Sequence, residues 1–238
     1  MKVGWYVHHH GSGHRTRAML VGRRLATHGV DVTLLGSGLD LAATRAAGLE
    51  SVPLPHDAPL ADGASASDAD VTMRGLMHWA PLGHRGFSER MTTIARWIQV
   101  HEPDVVVVDK VARGLDGELE QALEALHAVR GHTTGARPRV VLGLRDILDD
   151  PLTAAREWRS SRTTQAIRDH YDEVWVYGDS DVVDVVADYE LPPTVARRVR
   201  YTGYLVDGRS EGLIPPRDEP PAGPVPRPYV LCMVGGGQ

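Results

Sequence analysis

Val3-Gly4-Trp5-Tyr6-Val7-His8-His9-His10-Gly11-Ser12-Gly13-His14 runs from a short apolar stretch into a glycine-containing turn that ends on a histidine. Behind it, residues 15–28 place Ala18, Met19, Leu20, Val21, Leu25 and Ala26 at helical spacing, which predicts a helix with one buried face. Gly29 stands where a left-handed cap closes such a helix. Residues 30–35 are strand-like again and stop at Gly36-Ser37-Gly38. Strand, glycine turn, helix and strand together make a βαβ unit.

The same alternation continues outward. Residues 39–47 read as a short helix and 49–54 as a third strand. Residues 55–69 are small, polar and acidic, as a loop is. Met73, Leu76, Met77, Trp79, Leu82 and Phe87 follow, interrupted by glycine and proline. They read either as core or as an apolar wall for an acceptor or a membrane surface. A helix is expected over 88–101, and a strand over 104–109. That strand, Asp-Val-Val-Val-Val-Asp, is apolar throughout between two acids, as in sheets covered on both faces. A helix over 116–130, a strand over 139–144 and a helix over 151–170 come next, the last capped by Asp149 or Asp150 ahead of Pro151. A strand over 173–177, a helix over 181–189 and a strand over 200–204 complete the series. Seven strands alternating with helices predict an α/β fold, a Rossmann-like, doubly wound and mostly parallel sheet.

Composition excludes several classes. The chain has 238 residues, 42% of them hydrophobic, and a formal charge of −5. There is no global basic field for non-specific nucleic-acid binding, and no nucleic-acid partner is expected. Cys232 is the single cysteine, which removes a disulfide framework or a cysteine zinc site. No apolar run approaches the length of a membrane span, and the N-terminal residues lack a secretory apolar region, so a cytoplasmic place is expected. Apart from Lys2 and Lys110, every basic residue is arginine, a side chain suited to phosphate and carboxylate.

Seven prolines fall between Pro215 and Pro228, which no helix or central strand accommodates. A fresh apolar strand over 229–234 then runs into Gly235-Gly236-Gly237-Gln238. The expected organisation is therefore a Rossmann-like domain over 1–205, a proline-rich linker over 206–227, and the opening of a second, truncated domain over 228–238.

Open α/β sheets bind ligands beyond the C-terminal ends of their strands. The residues expected there are His8 to His14 after the first strand, Asp109-Lys110 after the fourth, and Arg145-Asp146 after the fifth. Gly11-Ser12-Gly13 either exposes backbone N–H groups to an anion or forms a tight turn that needs glycine for its geometry. It is a poor dinucleotide fingerprint, since Thr16 holds the third glycine position and the second strand ends Leu34-Leu35-Gly36 without a ribose-binding acid. His14 can accept a proton from a bound hydroxyl, or serve as an ordinary helix-start histidine. Asp109 either steadies the second nitrogen of that ring or caps the next segment. Arg145 and Asp146 make an ion pair across strand ends or line the cleft, and Arg15 and Arg17 meet phosphate or stay solvated. His8, His9 and His10 lie inside a strand–turn–helix unit, unlike an affinity tag. Adjacent residues point in different directions, so no metal site is expected of them.

This combination resembles the N-terminal half of a GT-B glycosyltransferase, in the group of MurG and the UDP-glycosyltransferases. Residues 6–17 are similar to that group's glycine-rich first loop ending in histidine. Residues 104–109 resemble the strand whose terminal acid supports the histidine, and residues 230–238 resemble the first strand and glycine loop of the donor domain. The first loop departs from MurG in having His8 to His10 where MurG has glycines. The resemblance implies inverting, metal-independent transfer of a sugar from a nucleotide-sugar co-substrate, UDP-linked with UDP-GlcNAc as one candidate, to a small-molecule or lipid-linked acceptor. No other cofactor is implied. His14 would be the general base and Asp109 its partner. Gly11, Ser12, Gly13, Arg17, Arg145 and Asp146 would bind substrate, and Gly235, Gly236 and Gly237 would face the donor phosphates. A peripheral contact with the inner membrane face is compatible with this group. Two readings compete: a nucleotide-sugar epimerase-like enzyme of the same fold, and a non-catalytic module binding an anion or nucleotide. A chain holding the base without most of the donor site is expected to be inactive alone.

Overall fold

The structure, a computed structural model, describes residues 1–8, 12–55, 84–128 and 137–205. In chain order the elements are β1 (Lys2–Tyr6), α1 (Ser12–Ala26), β2 (Asp31–Gly36), α2 (Leu41–Ala46), β3 (Glu50–Pro53), α3 (His84–His101), β4 (Val105–Asp109), a 3-10 turn (Leu115–Gly117), α4 (Glu120–Ala128), β5 (Arg139–Arg145), α5 (Pro151–Ser160), α6 (Thr163–His170), β6 (Glu173–Tyr177), α7 (Val185–Asp188), α8 (Pro193–Ala196) and β7 (Val199–Tyr201). Seven strands form one sheet in the order β3-β2-β1-β4-β5-β6-β7. Every pairing is parallel. Among the described residues the sheet is wholly parallel.

The order sets where a ligand can sit. From β1 the chain steps outward to β2 and β3, then returns to the other side of β1 and steps through β4 to β7. The direction reverses between β1 and β4. Doubly wound sheets place their cleft at this point.

Alternation along the strands builds two cores. Tyr6, Val106, Val108, Leu142 and Val176 face one side, against Ile94, Trp97 and Ile98 of α3 and Leu123 of α4. Trp5, Val7, Val107, Val141 and Tyr177 face the other, with Ala18 of α1. Burying each large aliphatic or aromatic side chain stabilises the fold by roughly 1.5–3 kcal/mol. Gly4 makes the first face possible, because a Cβ there would meet the Trp97 ring at 2.5 and 2.7 Å.

Several expected helices differ from those observed. Residues 151–170 are two helices: Arg162 has φ 51° and ψ 34°, a left-handed conformation that ends one helix and redirects the next. Residues 116–130 start as a 3-10 turn in which Asp116 also takes a positive φ, so α4 begins only at Glu120. The helix expected over 181–189 shrinks to Val185–Asp188, capped by Asp184. The first helix starts earlier, at Ser12, and Gly29 has φ +75° as its cap position requires. Asp150, not Asp149, caps α5, accepting from the Leu152 and Thr153 N–H groups.

The linker over 206–227, the strand and glycine loop over 228–238, His9, His10, Gly11, and Met73, Leu76, Met77, Trp79 and Leu82 lie outside the described residues. Among those described, no helix is long and apolar enough to cross a membrane.

Candidate active site

Asp109 continues the odd-numbered alternation of β4, on the α1 side of the sheet with Val105 and Val107. Its side chain is 1% exposed. A carboxylate so placed is stable only with charged or hydrogen-bonding partners. Two come from α1. His14 Nδ1 lies 2.5 Å from Asp109 Oδ2, and Arg17 Nη1 donates to Oδ1 at 3.2 Å. His14 and Arg17 are three residues apart, so one helix face presents both. The helix is held over the sheet by Ala18 and neighbouring apolar residues, and β1 and β4 pair directly. The pair thus straddles the point where strand order reverses.

An ionised carboxylate only accepts, so Nδ1 of a neutral His14 carries the hydrogen and Nε2 keeps its lone pair. His14 is 13% exposed, and its ring and that of buried His8 stand at right angles, with ring centroids 5.3 Å apart. A ring fixed in this tautomer can take a proton at Nε2 while the carboxylate stabilises the imidazolium that forms.

Arg17 lies against a second partner. Its Cζ sits 4.8 Å from the centre of the Tyr177 ring, a cation–π arrangement. Tyr177 ends β6 and crosses the sheet over Gly143, the residue paired with Asp109. A Cβ on Gly143 would collide with the Tyr177 hydroxyl and stand 3.0 Å from two ring carbons. The hydroxyl is buried without a hydrogen-bond partner among the described residues. Burial, and then the charge of Asp109, push its pKa well up, against an opposing pull from Arg17.

The remaining expected residues lie elsewhere or outside the description. Gly13 is in the first turn of α1, where a Cβ would meet no other heavy atom within 4 Å. Ser12 begins the helix. Arg145 donates to the Leu148 carbonyl at 2.6 Å. Asp146 accepts from the Ile147 N–H and from the Tyr204 hydroxyl, each at 2.9 Å. These bonds tie both residues to the turn after β5 and to the chain after β7, and not to each other or to the His14 group. Gly11, Gly235, Gly236 and Gly237 are among the residues not described.

Sequence reasoning missed a second polar cluster on the opposite face of the sheet. Arg90 donates to both Glu118 oxygens, at 2.5 Å from Nε and 2.8 Å from Nη2. It also donates to Ser37 Oγ at 2.5 Å and to the Pro55 carbonyl at 2.8 Å. The Tyr6 hydroxyl donates to Glu118 and accepts from the Leu115 N–H. Burial pulls the guanidinium pKa down, and the Glu118 bond and charge together with Tyr6 outweigh it, for a net rise. Burial and then Glu118 push Tyr6 far up. The cluster ties together the chain leaving β1, β2, β3 and β4. A signal existed: Arg90 precedes Ile94, Trp97 and Ile98 by four, seven and eight residues, on the helix stripe that faces the core.

Solved structures share this architecture. Arabidopsis thaliana UGT89C1 complexed with UDP-L-rhamnose matches at TM-score 0.54 and 12% identity, over 88% of this chain and 53% of that one. UGT89C1 in a second structure matches at TM-score 0.52 and 12% identity, over 87% and 50%. Acinetobacter baumannii MurG, at TM-score 0.47, 12% identity and coverage of 89% and 47%, adds no weight. No family model matches the sequence, and no curated protein does. The chain spans about half the length of the structures it resembles. At this identity the likeness is one of fold alone: a parallel, Rossmann-like sheet that this chain shares with about half of each of those structures.

Proposed function

We propose that the chain is the acceptor-side half of a glycosyltransferase that moves a sugar from a nucleotide-sugar donor to an acceptor hydroxyl. The observation that supports this most is the 2.5 Å bond from His14 Nδ1 to Asp109 Oδ2 at the reversal point of a sheet with this fold. In the proposed reaction, Nε2 of His14 takes the proton of the acceptor hydroxyl. The oxygen attacks the anomeric carbon from the side opposite the leaving group, and the bond to the diphosphate breaks with its electron pair. One displacement inverts the configuration, and the scheme needs no metal ion. Gly13, with open space where a side chain would stand, gives a ligand access to the backbone. The donor is read as a UDP-sugar, as UGT89C1 was solved with UDP-L-rhamnose; UDP-GlcNAc is the first to try. The acceptor is a small molecule or a lipid-linked one, met in the cytoplasm or at the inner membrane face.

The donor half is proposed to be supplied by sequence outside the domain over 1–205, with Gly235, Gly236 and Gly237 in its first phosphate loop. The 238 residues alone then turn over no donor. The test uses the chain extended through its donor half, with UDP-sugars and an acceptor panel. A general base contributes roughly 10²–10⁴-fold, so His14→Ala should lose that much kcat while UDP still binds. A near-parental rate would remove the assignment. Free sugar released without dependence on acceptor would favour the epimerase-like reading instead, and tight UDP binding with no turnover the binding module.

A further inference from the structure

Arg17 is expected from the sequence to meet substrate, yet its surroundings commit it elsewhere. One end of its guanidinium bonds Asp109 Oδ1 at 3.2 Å, its plane lies over Tyr177, and the side chain is 17% exposed. Its Nη1 is 3.5 Å from His14 Nδ1. Both of those nitrogens donate when Asp109 is ionised, so no bond joins them and the carboxylate alone links the two side chains.

We propose that Arg17 is a positioning residue: by occupying Asp109 Oδ1 it leaves Oδ2 as the acceptor for His14 Nδ1, and so holds the ring in one tautomer. The inference rests on the reading of His14 as the base. A buried carboxylate with one partner is free to turn about its Cβ–Cγ bond and to offer either oxygen. With two partners on one helix face, at residues 14 and 17, it has a single orientation. Tyr177 seats the guanidinium from the far side, and Gly143 is the opening through which Tyr177 reaches. Four residues on α1, β4, β5 and β6 therefore lie behind one nitrogen of His14.

The experiment needs neither donor nor acceptor. The 238-residue chain is labelled with 15N-histidine, and the His14 signals are assigned by their absence in His14→Gln. The parent should show a pyrrole-like, protonated Nδ1 and a pyridine-like Nε2. In Arg17→Met the two His14 shifts should converge as tautomers mix, with the other histidines unmoved. Arg17→Lys, which keeps the charge and loses the fork, should restore them in part. Unchanged His14 shifts in Arg17→Met would overturn the proposal. If Arg17→Met does not fold, Tyr177→Leu is the second variant: it unseats the guanidinium, and convergence supports the proposal while unmoved shifts refute it. Failure here leaves glycosyl transfer untouched, because the His14→Ala assay tests that separately.

Discussion

Arg90 and Glu118 form a two-bond ion pair closed to water, at 1% and 0% side-chain exposure. Breaking such a pair by removing one partner leaves an uncompensated buried charge. Arg90→Met or Glu118→Leu should each lower unfolding stability by about 3–5 kcal/mol, and the double variant should cost much less than the two losses added. Urea unfolding midpoints provide the comparison. Additive losses would mean the two residues are not energetically a pair.

Gly143→Ala places a methyl group where Tyr177 crosses the sheet. Overpacking at a site with rigid neighbours costs about 1–3 kcal/mol. The nearest atom it meets is the Tyr177 hydroxyl, so the same substitution made in Tyr177→Phe should cost less. Thermal melts of the four proteins decide this, and an equal penalty in both backgrounds would contradict it.

Alkaline pH should unfold the chain through three tyrosines. Burial is the main cause raising the pKa of Tyr6, Tyr171 and Tyr177 above the ordinary 10.0; Glu118 adds to it at Tyr6, Tyr6 at Tyr171, and Asp109 at Tyr177. Above that value the unfolded chain releases these protons and the folded chain keeps them. Stability contributed by the neutral hydroxyls is therefore complete below pH 10 and falls as pH rises beyond it, at about 1.4 kcal/mol per pH unit for each group. Urea titrations between about pH 9 and pH 11 should show the decline. A flat profile would mean that these hydroxyls ionise within the fold.

Arg162 adopts a left-handed conformation between α5 and α6, which for a residue with a Cβ costs about 1–2 kcal/mol. Arg162→Gly removes that strain and adds some unfolded-state entropy. The expected net gain is about 1 kcal/mol, or about 2–4 °C in Tm for a chain of this size. A lower Tm would show that the arginine side chain has a stabilising role larger than its backbone strain.

Much of this fold was legible because a parallel sheet buries both faces. Residues 105–108 can hardly be read otherwise, and the βαβ reading of residues 3–35 follows from glycine turns and helical spacing. The candidates at 14 and 109 came from asking what stands at strand ends. Strand order was not readable, since parallel strands covered on both faces carry no mark of their neighbours. Nor was Tyr177, whose task depends on a missing side chain on the adjacent strand. The break at Arg162 depends on how α6 buries Ala166 and Ile167, a tertiary demand that local spacing does not record. Arg90 was not singled out, because one charged position does not disturb a helical period.

The two faces of the sheet separate the consequences of mutation. In β1 and β4 the even positions Tyr6, Val106 and Val108 look toward α3 and the Arg90 cluster, and the odd positions Trp5, Val107 and Asp109 look toward α1. Parity along these strands therefore works as a sorting rule for a mutational screen. Even-numbered lesions should surface as poor yield or early melting, and, on the proposed reading of His14 and Asp109, a lesion at the odd-numbered end of β4 should add a loss of turnover.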